Sequence, residues 1–111
     1  MHPIERDIVA AVVTAALDAG LTVSVLAGDQ DSWAIERCRD KAEIMGHLGQ
    51  VDEDFIKIHD HTTGSLGWFV FIYGNEPYYV ISDHSTRPAC TAIMAKVQPL
   101  IAAHEAAGQE V

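Results

Sequence analysis

Four residues in the second half of the chain carry the side chains best suited to chemistry: His59, His61, Asp83 and His84. Two or three imidazoles and a carboxylate converging on one point could hold zinc or nickel. His59 and His61 are two residues apart, which puts them on one face wherever a strand continues, and Asp60 lies between them. The same side chains could serve as a proton-linked switch, because imidazole titrates near neutral pH. Other constellations fail on geometry. Ser82, Asp83 and His84 are triad residue types, but sequence neighbours cannot converge as a triad must, and no nucleophile elbow is present. Cys38 or Cys90 with His47 makes no recognisable nucleophile pair, since both cysteines fall in segments of helical spacing. Residues 28–32 match neither phosphate-binding glycine motif, and Asp29 and Asp31 would repel phosphate. Residues 50–54 are acidic but lack the spacing of a calcium loop. No cofactor is implied.

The elements that must position these residues centre on 54–82, which reads as a β-meander. Ile56 and Ile58 alternate with Phe55, Lys57 and His59, a period of two that turns the isoleucines to a core. Gly64 lies in a turn-forming stretch, as Gly74 and Pro77 do further on. Between the turns, segment 66–73 is apolar on both faces, the mark of an interior strand. Trp68, Val70 and Ile72 are expected beneath the helices, with Trp68 at the buried centre. Phe69 and Phe71 then fall on the outer face. In such a meander the ends of its first and third strands meet at one edge, bringing Asp83 and His84 within about two strand spacings, ~10 Å, of His59 and His61.

The flanking segments supply cover. A helix is predicted over 3–18, with Pro3 in its first turn and Gly20 past its end. Segment 21–27 alternates and reads as a fourth strand, followed by a helix over 33–48 capped by Asp31 or Ser32. Ile35, Cys38, Ala42 and Met45 lie along one side of that helix. A last helix starts near Pro88, with Ser85 or Thr86 as cap, and Pro99 should kink or split it before Gly108. The expected fold class is therefore α+β, an antiparallel sheet of about four strands packed against three helices in a single domain, 1–111.

Composition limits the function. The chain has 111 residues, of which 49% are hydrophobic, and no apolar run reaches the ~20 residues of a membrane span. Its start lacks a positive n-region and does not resemble a secretory signal. Two cysteines outside any CxxC pair read as reduced thiols, with a disulfide as the alternative, so a cytoplasmic location is expected. Sixteen acids against seven bases give a net charge of −9, which disfavours direct nucleic-acid binding. Acidity of this kind serves solubility or a basic partner, a DNA-binding protein inhibited by a DNA mimic included. If helices cover the Trp68 face, Phe55, Phe69, Phe71 and Tyr79 make more outer apolar surface than a monomer comfortably exposes. That surface calls for further helices, a second copy in a homodimer, or a ligand.

Gly67-Trp-Phe-Val-Phe-Ile-Tyr-Gly-Asn75 and Val80-Ile-Ser-Asp83, preceded by Asp52-Glu-Asp54, also carry a resemblance. They resemble small uncharacterised proteins of bacterial phages and mobile elements that share a GWV-x-x-VYGN…DVISD-like segment. Phe69 and Tyr79 depart from that pattern. The resemblance covers the middle third to half of the chain and brings no catalytic residues with it. It implies a cytosolic, mobile-element setting, where small acidic proteins act as binders or inhibitors. The expected function is thus a non-enzymatic protein-interaction module acting on a host or phage protein. Its candidate site is Asp52, Glu53, Asp54, Phe55, Phe69, Phe71 and Tyr79. The alternatives are a metal-dependent hydrolase or metal-binding protein using His59, His61, Asp83 and His84, and a purely structural subunit.

Overall fold

The structure is a computed structural model that describes residues 1–26, 32–60 and 64–109. His2 opens the first helix, α1 (Pro3–Asp18). Its Nδ1 accepts from the Ile4 N–H, while the Glu5 carboxylate reaches back to the His2 N–H, a reciprocal cap. Ile8, Val9, Val12, Val13 and Ala16 recur at helical spacing and are fully buried. Gly20 ends the helix at φ 81°, where the Gly20 and Leu21 N–H groups return to the Leu17 and Ala16 carbonyls.

Among the described residues the sheet has five strands, all antiparallel, in the order β2–β1–β3–β4–β5: β1 (Thr22–Leu26), β2 (Trp33–Cys38), β3 (Glu53–His59), β4 (Ser65–Ile72) and β5 (Ile81–His84). The meander is present, with the tryptophan-bearing β4 inside it, and β1 joins at β3 as the expected fourth strand. The fifth comes from a segment expected to be helical. Residues 33–38 are a strand, because Trp33, Ile35 and Cys38 pair with Leu26, Val25 and Val23 of β1. Helix resumes only at α2 (Lys41–Gly46), where the Asp40 carboxylate accepts from the Glu43 N–H as N-cap. The expected cap Asp31 lies outside the described residues. The meander's third strand also starts later than expected: Pro77–Tyr79 form a 3₁₀ turn ahead of β5. The last helix, α3 (Pro88–Gln109), runs through Pro99 without splitting.

The core lies between one sheet face and the helices, and that face is not the expected one. Phe69 and Phe71 have no exposure and join Ile56, Ile58, Val23 and Val25 under α1 and α3. Trp68 and Phe55 lie outside this core. The reason is a bulge. His59 lies opposite Ser65, but Ile58 lies opposite Gly67, so one extra residue of β4 is accommodated there. Simple alternation from Ser65 would put Trp68 opposite Ile56; the bulge puts Phe69 there instead. Gly67 makes the bulge feasible. Its φ is 144°, and a Cβ at this position would collide with Cys90 Sγ and Ser85 Oγ.

Candidate functional site on the helix-free face of the sheet

Alternate residues of β3 place Glu53, Phe55 and Lys57 on the face away from the core, opposite Ile72, Val70 and Trp68 of β4. The Phe55 and Trp68 rings stack with centroids 5.9 Å apart at 18°, an arrangement worth about 0.5–1.5 kcal/mol beyond its burial. Lys57 Nζ sits 5.5 Å from the centre of the Trp33 ring, a cation–π contact worth about 0.5–1 kcal/mol. Both tryptophans of the chain therefore contribute to an apolar layer outside the core, with Lys57 between them. Glu53 lies along this face from Lys57, and Asp83, opposite Val70, borders it on β5.

The residues expected to form an interaction surface separate accordingly. Phe55 and Glu53 belong to the open face. Phe69 and Phe71 do not, being sealed beneath the helices. Asp54 points to the helix side and is 5% exposed. Its Oδ2 accepts from the Tyr73 hydroxyl at 2.6 Å and from the Gly49 N–H at 2.7 Å. Glu5, also buried, accepts from the Gly74 N–H at 3.0 Å. These two carboxylates stitch α1, the α2–β3 connection and the end of β4 around a cleft of about 340 Å³ that Asp52 lines. Burial, followed by the hydrogen bond and charge of Asp54, pushes the Tyr73 hydroxyl far above its ordinary range. It is a locked donor, not a nucleophile. Tyr79 is 65% exposed and lines a groove with Asp83 and His84.

The histidines do not converge as expected. His59 lies opposite Ser65 and His84 opposite Phe69, whose partner on β3 is Ile56, so the two are offset by three β3 residues, about 10 Å along the strands, as well as by two strand spacings, ~10 Å, across the sheet. The His84 ring lies 5.8 Å from that of Phe69, a core side chain, tilted by 30°, and its Nδ1 donates to the Ser85 carbonyl at 2.9 Å. His59 instead bonds Ser24 Oγ through Nε2 at 3.0 Å. His61 lies outside the described residues. Among the described residues no group of three or more His, Cys, Asp or Glu side chains is placed to hold a metal ion.

The Ser24–His59 pair was not legible in the sequence, since only the β1–β3 register brings it together. It has the atoms of a catalytic dyad without the access. Ser24 is 1% exposed, and its Oγ also accepts from the Arg37 N–H at 2.9 Å. The bond is made while Arg37 holds φ at 47°, an unusual backbone for a residue with a side chain. Among the described residues His59 Nδ1 is buried without a partner. Burial first, then the Arg37 and Lys57 charges, lower the His59 pKa, which favours the neutral ring. This is a structural clasp between β1, β2 and β3.

Comparison of the chain with protein-family models, with curated proteins and with solved structures gave no match.

Proposed function

We propose that this chain is a small acidic protein-interaction module without catalytic activity, which docks a protein partner on the helix-free face of its sheet. One observation carries the reading: Trp33, Phe55, Trp68, Val70 and Ile72 form an apolar layer outside the core. Side chains of this kind are the ones that interface centres favour, and tryptophan most of all. The resemblance of residues 67–83 to phage and mobile-element proteins points to a host or phage protein as that partner, in the cytoplasm. A second copy of the chain is the other occupant such a face can take, with Lys57 of one copy meeting Glu53 or Asp83 of the other.

The experiment compares the parent with a Phe55→Ser/Trp68→Ser double variant. Both are used for affinity capture from the native host and for light scattering across a concentration series. The parent is expected to capture a defined protein or to dimerise, and the folded variant to do neither. A parent that stays monomeric and captures nothing the variant does not also capture would overturn the reading.

A further inference from the structure

The edge of the sheet at β5 carries a second surface, which shares only Asp83 with the open face. Among the described residues β5 pairs with β4 alone, so its other side is an open edge. A groove of about 300 Å³ runs along it. All four residues Ile81–His84 line this groove. Consecutive strand residues point to opposite faces, so a groove touching all four follows the edge and not either face. Its far wall is α3, through Met94, Gln98, Ile101 and Glu105. Tyr78, which packs against Gly108, also lines the groove.

The lining selects a chemistry. Ile81, Met94 and Ile101 supply an apolar floor, and the ionisable groups facing it include the carboxylates Asp83 and Glu105, with no Lys or Arg among the lining residues. A strand edge offers backbone donors and acceptors at regular spacing to an extended chain, while flanking pockets take alternate side chains. The opposite edge, β2, suits this less well, since its pairing is broken by two register shifts and by the positive φ of Arg37.

We infer that the β5 edge groove binds an extended basic peptide segment as an added strand, its apolar residues entering between β5 and α3 and its Lys or Arg residues meeting Asp83 and Glu105. The His84 N–H, held at 2.8 Å by the Asp83 carboxylate in the free protein, shields part of the edge until a strand displaces that contact.

The test uses fluorescence anisotropy with a labelled peptide of about eight residues alternating lysine and valine. Two controls are a glutamate–valine peptide and a lysine–valine peptide N-methylated at alternate residues. The parent is expected to bind the first peptide in a salt-sensitive manner and each control at least about tenfold more weakly. Asp83→Asn with Glu105→Gln should weaken binding about threefold to tenfold. Phe55→Ser/Trp68→Ser should leave it unchanged. Absence of binding at millimolar peptide, equal binding of the N-methylated peptide, or indifference to the Asp83/Glu105 change would overturn the inference. Loss of binding in the Phe55/Trp68 variant would place the peptide on the open face, refuting the edge site while leaving the face intact as an interaction surface. The peptide series on the parent decides the matter even where a variant fails to fold.

Discussion

Phe69→Ala should destabilise the protein far more than Trp68→Ala, although tryptophan is the larger side chain. Phe69 has no exposure; its ring lies 6.4 Å from that of Phe71 and 5.8 Å from that of His84. Truncating such a residue removes its transfer energy and leaves a cavity, costing about 3–5 kcal/mol. Domains of this kind hold only about 5–15 kcal/mol in all. Trp68 is half-buried outside the core. Its loss removes the stack on Phe55, about 0.5–1.5 kcal/mol, and part of its apolar contact, about 1–2 kcal/mol together with the stack. The expected gap is about 2–3 kcal/mol. Urea unfolding followed by far-ultraviolet circular dichroism measures it directly. At m of about 1–3 kcal/mol/M, the midpoints of the two variants should differ by roughly 0.7–3 M. A Trp68→Ala variant as unstable as Phe69→Ala would show that the tryptophan face is the packed one, and the assignment of an open surface would fall with it.

Three further outcomes are expected. Tyr73→Phe removes the hydroxyl that donates to Asp54 at 2.6 Å, and should lower unfolding stability by about 1.5–3 kcal/mol, the range for hydrogen bonds to charged groups. The fold favours neutral His59. Its contribution to stability is complete above the unfolded-state value of 6.5, falls as pH drops through that value, and levels off below the depressed folded value. Unfolding midpoints taken between about pH 8 and pH 5 should therefore fall more steeply for the parent than for His59→Gln, and equal slopes would contradict the clasp. Cys90 is fully buried, and burial raises its thiol pKa. A thiol reagent should label Cys38 in the folded protein and reach Cys90 only on unfolding.

The strong periodicities were legible. The α1 stripe, the alternation in β1 and β3, and the interior position of β4 all follow from spacing, because long or doubly apolar segments leave few alternatives. Residues 33–38 were not, since Ile35 and Cys38 fit a helical spacing as well as a strand bent by register shifts, and pairing with β1 decided between them. The candidate face was half legible. Phe55 falls on the outer side as the alternation implies, because Ile56 and Ile58 fix the inner side of β3. Phe69 and Phe71 were exchanged with Trp68 and Val70 because a bulge beside the turn changes the count by one, and nothing local to β4 distinguishes its two greasy sides. The histidine arrangement failed because it is a statement about register across three strands, and the β4–β5 pairing sets His84 away from His59.

The bulge at Gly67 has a consequence for how mutations of this protein will be tolerated. Because β4 is apolar on both sides, sliding it by a single position would bury the tryptophan and bare the phenylalanines, a competing arrangement composed of similar materials. The present register leaves no room for a side chain at Gly67, which lies against Cys90 and Ser85, so a bulkier residue at any of these three positions is expected to favour turning that strand inside out over merely loosening the molecule.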